Sequence, residues 1–195
     1  MDITSYLLGK KSSSGGGGGL DWSAIGYSDT PQSIKDGYNY AKQIYDNWDS
    51  SKTTMNSEYS SNKTIVIMPL VDTKNVTNMV YTFNKCYGLL ECPMLDTQNV
   101  TTMKSMFGDC YSLRKIPQFN TSKITTMQNM FTDCYSLTDE SLNNILKMCI
   151  NINSNYSRTK SLTELGFNIL NYSASRIQAL PSYQDFIDAG WTIGY

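Results

Sequence analysis

The residues of this sequence that could do chemistry are five cysteines, 14 tyrosines and a scatter of carboxylates; histidine is absent from all 195 positions. Without an imidazole the commonest acid/base at neutral pH and the commonest metal ligand are missing, so Ser-His-Asp and Cys-His mechanisms are excluded. Asp, Glu, Lys and Tyr can still move protons, but the pattern forces no two carboxylates together, and an enzyme is not expected. Cys86, Cys92, Cys110, Cys134 and Cys149 contain no CxxC spacing, so free thiols are expected, with no metal and no cofactor. Three of them, Cys86, Cys110 and Cys134, lie 24 residues apart, the mark of one column of small buried side chains. Glycines 15–19 lack the Lys-Ser/Thr of a phosphate loop. Asn75-Val76-Thr77, Asn99-Val100-Thr101 and Asn120-Thr121-Ser122 match the glycosylation pattern, yet turn chemistry accounts for those asparagines.

The period that aligns the cysteines aligns unrelated residue types as well. Phe83, Phe107 and Phe131 keep it, as do Met79, Met103 and Met127, Pro69, Pro93 and Pro117, and Val76, Val100 and Ile124. An imperfect earlier unit has Met55 and Tyr59 in the Met and aromatic columns and Asn62 in the cysteine column. A period of 24 falls in the leucine-rich-repeat range, where each unit supplies a strand and a helical or irregular return and buries its neighbour's apolar edge. The expected fold class is therefore an α/β repeat solenoid, a short leucine-rich-repeat stack with helical caps at both ends. Strands are placed over 113–119, 89–95 and 65–71, with Leu113, Ile116, Phe119, Leu89, Cys92, Leu95, Ile65, Met68 and Val71 inward. Proline inside each keeps it short. The return over 124–134 has Ile124, Met127, Met130, Phe131 and Cys134 at helical spacing.

Around the repeats, 55–137, the chain divides into a docking peptide, 1–10, a Ser/Gly linker, 11–19, a helical N-terminal cap, 20–54, and a C-terminal cap, 138–195. Glycine loses most entropy on ordering, so the linker predicts a tether. In the cap, 30–48 reads as a helix with Thr30 capping, Pro31 in the first turn and one face of Ile34, Tyr38, Ala41, Tyr45 and Trp48. That face suits the open end of the stack, or alternatively the seam of a homo-trimer. At the other end 138–150 places Leu142, Ile145, Leu146 and Cys149 on one helical face. Ser161 to Glu164 offer a capping box, Ser182 and Gly190 bound a helix over 182–191, Trp191 folds back on it, and residues 192–195 read as a last strand. A net charge of -1 gives no field for nucleic acid, and no apolar run is long enough to insert in a membrane. The start has only Tyr6, Leu7 and Leu8 where a secretory segment needs about 7–15 apolar residues, so export by that route is not expected.

The units MFGDCYSLRKIPQFNTSKITTM (106–127) and MFTDCYSL (130–137) resemble the BspA-like leucine-rich repeats of bacterial surface lipoproteins and of many phage and prophage proteins. The resemblance covers 55–137, and the closing FIDAGWTIGY is similar to the ends of such proteins. It implies a binding function. Combined with the tethered start, it implies a virion accessory or receptor-binding fibre component, docked on a capsid or tail protein through Ile3, Tyr6, Leu7 and Leu8. The alternative is a BspA-like adhesin on the bacterial surface. Binding residues are sought where the repeat varies over a constant core: Leu90, Glu91 and Met94 in one unit, Arg114, Lys115 and Gln118 in the next, and Tyr87, Tyr111 and Tyr135 after each cysteine. Aromatic and mixed-charge residues on a short sheet suit a host surface protein or glycan.

Overall fold

The computed structural model describes residues 32–156, 158–167 and 172–194, without the side chains of Ser33 and Ile34. The docking residues Ile3, Tyr6, Leu7 and Leu8, the linker, Thr30, Pro31, Tyr195 and the Ile34 side chain lie outside the described residues.

From Thr53 onward the backbone bonds in steps of 24. Isolated parallel bridges join Thr54 to Asn78, Asn78 to Thr102 and Thr102 to Thr126 on one side, and Ile67 to Glu91 and Glu91 to Lys115 on another. Between the Met and Cys columns the N–H groups divide their bonds by alternation. Those of Met79, Tyr81, Phe83 and Lys85 reach the carbonyls of Thr102, Lys104, Met106 and Gly108 in the next unit at 2.7–3.0 Å. Those of Asn84 and Cys86 turn back three residues to Tyr81 and Phe83. The units starting at Met55 and Met103 repeat the arrangement, so this stretch satisfies its backbone donors without a helix or a regular strand.

The expected helical return is corrected by this geometry. Tyr81, Lys85, Ser105, Asp109, Asn129 and Asp133 have φ between 51° and 62°, and a left-handed residue at every fourth position interrupts an α-helix. Ile124, Met127, Met130, Phe131 and Cys134 are all buried nonetheless, because consecutive turns return the same side of the chain every three or four residues. The expected strands shrink to single bridges at Ile67, Glu91 and Lys115. All nine inward residues are buried, but they recur every three residues rather than every two, and the prolines at 69, 93 and 117 have no N–H to extend a ladder.

Stacking fills the interior. The rings of Tyr59, Phe83, Phe107 and Phe131 follow one another at 5.6, 5.5 and 5.8 Å, within 11° of parallel. Thr73, Thr97 and Thr121 are buried, and their hydroxyls donate to the carbonyls of Asp96, Asn120 and Met148, which removes the cost of burying them.

Helices close the ends. Helix α1, Gln32–Asp46, lies on the first unit: a Cβ on Gly37 would meet Val66 Cγ2 at 2.1 Å, the Tyr40 hydroxyl accepts from Asn62 Nδ2, and Trp48 Nε1 donates to the Asp72 carbonyl. Its buried line is Gly37, Ala41 and Ile44, while Tyr45 is 48% exposed, so the face is rotated from the one expected. Ala41 and the half-buried Trp48 of the expected face do pack on the stack, but Tyr45 does not, and Gly37 sits at the closest approach. Helix α2, Asp139–Ile150, is capped by Thr138, whose side chain accepts from the Ser141 N–H, and it buries Leu142, Ile145, Leu146 and Cys149. Ser141 Oγ donates to the Arg114 carbonyl and accepts from the Ile116 N–H, so α2 continues the bonding of the last unit. Two short helices follow, α3, Ala174–Gln178, and α4, Tyr183–Asp188, the latter packed on α2.

Three expectations about this end are corrected. Ser161 to Glu164 start no helix: they form a turn whose Glu164 and Leu165 carbonyls accept from Asn129 and Phe131, and Glu164 pairs with Arg158 at 2.6 Å. Ser182 makes no side-chain cap; its N–H donates to Asn143 Oδ1. The last strand is one bridge, Ser161 to Thr192. Gly190, at φ +84°, does end α4, and Trp191 folds back with its N–H on the Phe186 carbonyl.

Candidate binding surface

The nine described residues singled out for binding occupy two adjoining strips. The first is the column Tyr87, Tyr111 and Tyr135. Each tyrosine follows a cysteine whose thiol is drawn inward, donating to the carbonyl of Tyr59, Phe83 or Phe107 at 3.0–3.1 Å, and the next side chain points out, Tyr87 and Tyr111 within turns closed by the Leu89 and Leu113 N–H groups on the Cys86 and Cys110 carbonyls. The rings stay 41–47% exposed and stack on one another, 5.1 Å and 18° for Tyr87 on Tyr111, 5.5 Å and 6° for Tyr111 on Tyr135. Mutual contact fixes their rotamers, so little side-chain entropy is left to lose on binding.

Electrostatics favour the neutral phenol at Tyr111 and Tyr135. The Tyr135 hydroxyl donates to Asp133, and this bond, followed by burial, pushes the phenol up to about 12. Burial, then the nearby Asp109 charge, raises Tyr111. Asp109 is itself raised, by burial and then by Asp133 one unit on. Asp109 and Asp133 were not among the expected site residues, although they keep the same 24-residue spacing.

The second strip begins three residues beyond each tyrosine. Arg114, Lys115 and Met94 are exposed, Met94 at 53%, whereas Leu90, Glu91 and Gln118 are half-buried. The Leu90 carbonyl accepts from the N–H groups of both Arg114 and Lys115, which ties the two units together along this strip. Glu91 and Lys115 pair across adjacent units at 3.0 Å. Below them Met94, Gln118, Gln98 and Asn151 border an open groove of about 730 Å³. Exposed Leu70 and Tyr45, missed by sequence reading, flank a second depression beside Trp48.

This surface offers contact, hydrogen bonds and mixed charge. The thiols lie beneath it: burial pushes Cys86 up to about 12 and raises Cys92, Cys110, Cys134 and Cys149 far above the ordinary thiol range, which leaves no thiolate for nucleophilic attack near neutral pH. Among the described residues no helix is long and apolar enough to cross a membrane.

Among known protein families, residues 53–167 match the one described as "Mycoplasma protein of unknown function, DUF285". No curated protein and no solved structure matches the chain. The matched stretch begins where the 24-residue bonding begins and ends at Phe167, whose ring packs on Phe131. It takes in the whole ladder, helix α2 and the turn that covers the last unit, more than half of the sequence, and the chain belongs to that family.

Proposed function

We propose that this chain is a non-enzymatic binding and display module, a leucine-rich-repeat solenoid of the BspA-like type, serving as an accessory or receptor-binding fibre-type protein of a phage or prophage particle. The observation that carries the binding reading is the exposed, mutually stacked tyrosine column beside a mixed-charge strip, since large aromatic side chains held rigid at a surface are the residues from which interfaces draw most energy. The fibre reading adds the resemblance of the repeats and the Ser/Gly run of 12–19, which would let residues 1–10 dock on a capsid or tail protein while the repeats meet a host surface protein or glycan.

A BspA-like adhesin on the bacterial surface is the second reading, and it rests on the same resemblance of the repeats. One pull-down separates them, from lysate of induced producing cells, with the full chain and with a chain lacking residues 1–19. The fibre reading expects a virion protein with the full chain and its loss on truncation. Equal recovery by both chains, or no particle protein at all, overturns it in favour of the adhesin.

A further inference from the structure

A surface that repeats is matched best by a ligand that repeats with it, and the tyrosine column advances in steps of 5.1 and 5.5 Å. Both faces of Tyr111 lie against its neighbours, so the middle of the column presents ring edges and a hydroxyl rather than an open ring face. That geometry disfavours ligands that lie flat on one aromatic ring and favours those that read a row of edges.

Three extended ligands can be compared by their periods. A polypeptide strand brings the same face round every two residues, about 6.6–6.8 Å, and is out of phase with the column by the third ring. An α-helix has a pitch of about 5.4 Å and keeps step, but helices dock by an apolar face in an apolar groove. The column offers no such groove: its tyrosines are preceded by Asp109 and Asp133 and followed by Ser112, Ser136 and Arg114, all of them exposed or half-buried. An extended chain of equatorially linked pyranoses advances by about one ring width per sugar; alternate sugars are turned over, but both long edges of the ring carry polar groups, so every step still presents a hydrogen-bonding edge where alternate residues of a strand point their side chains away. Neutral phenols, serine hydroxyls and carboxylates are the hydrogen-bond partners that such edges take.

The geometry points to a linear polysaccharide of equatorially linked pyranoses as the ligand of the Tyr87–Tyr111–Tyr135 column, lying along the stack with one sugar to each tyrosine. This rests on the reading of the chain as a binding module and names the ligand class of that same surface. The carboxylates of Asp109 and Asp133 would accept from sugar hydroxyls, and they make a neutral or amino sugar a better fit than an acidic one.

The test is calorimetric titration of the full chain with cellohexaose, with chitohexaose and with maltohexaose, whose axial linkages coil the chain and break the step. At least one of the first two should bind, maltohexaose should not, and the corresponding disaccharide should bind at least about tenfold more weakly than the hexamer. Tyr111→Ala should lower affinity by about tenfold or more, Tyr111→Phe by only a few-fold, and Tyr45→Ala, outside the column, should have no effect. No binding of either equatorially linked hexamer, equal binding of maltohexaose, or an unaffected Tyr111→Ala variant overturns the inference. Labelling of producing or host cells with the fluorescent full chain separates the two levels. Labelling that is lost with Tyr111→Ala while no sugar binds removes the polysaccharide and keeps the binding module, with a helical protein partner in its place. If neither cells nor sugars bind, both readings fall.

Discussion

The thiols of Cys86, Cys110 and Cys134 show how one small side chain meets two demands at once. Each is buried among stacked rings, and each donates to a carbonyl 27 residues earlier in the chain. A thiol is apolar enough for that place and still supplies a weak donor. Cys110→Ala should therefore cost about 1–2 kcal/mol in urea unfolding, from a small cavity and a carbonyl that loses a partner. Removing the adjacent ring is a larger change: Phe107→Ala takes the middle from the Phe83–Phe107–Phe131 stack and should cost about 3–5 kcal/mol in the same measurement. Burial of the thiols also sets a pH dependence. In the unfolded chain they ionise near pH 8.5, whereas Cys86 in the folded chain holds its proton to about 12. Folding thus retains protons that the unfolded chain releases, so stability is full below about pH 8.5 and falls as pH rises toward 12. The urea midpoint should drop between about pH 7.5 and about pH 10, and the drop should shrink when Cys110 is replaced by alanine.

The elements differ in how far the sequence discloses them. Helix α2 was legible because Leu142, Ile145, Leu146 and Cys149 keep a clean helical period behind a capping threonine. The return segments were not, because a run of turns with a left-handed residue every fourth position buries the same i, i+3, i+4 residues that a helix would. Asp109, Asn129 and Asp133 carry the distinguishing signal, since Asn and Asp tolerate φ > 0 better than other side chains, whereas Tyr81, Lys85 and Ser105 in the equivalent places carry none. Helix α1 was legible in extent and misplaced in rotation: Tyr45 is apolar in composition yet faces water, while Gly37 is the contact point. Gly37→Ala should weaken the attachment of α1 by about 1–3 kcal/mol, because its Cβ would overlap Val66. The double variant with Val66→Ala should recover most of that loss, and a thermal melt that shows no recovery would separate α1 from Val66. A stricter site is Gly166, at φ +86°, where a Cβ would lie 2.7 Å from the Thr132 backbone nitrogen. Gly166→Ala should destabilise more than Gly37→Ala, since backbone cannot swing aside as a side chain can.

At the scale of the whole molecule the columns explain both the stability and the surface. One 24-residue step repeats the same donor-to-carbonyl pairs, the same aromatic stack and the same outward tyrosine, so core and exposed surface grow together. The stack also marks its own end. Glu58 is exposed and paired with Lys52 where the equivalent Thr82, Met106 and Met130 are buried, and charge at an edge discourages further addition. Repetition of core residue types was plain in the sequence, as were the outward tyrosines, because both keep the period. The carboxylates beside the tyrosines and the two grooves were not, since they depend on which side of each turn faces out. The most direct test of this register is urea unfolding of two deletion variants. Loss of residues 89–112 joins Gly88 to Leu113, which falls in the place of Leu89, and removes one whole unit; loss of residues 89–100 removes half of one. The first should fold and unfold in one cooperative transition with a smaller dependence on urea, and the second should not fold. If the two variants behave alike, or if only the half-unit deletion folds, the 24-residue register does not hold the molecule together.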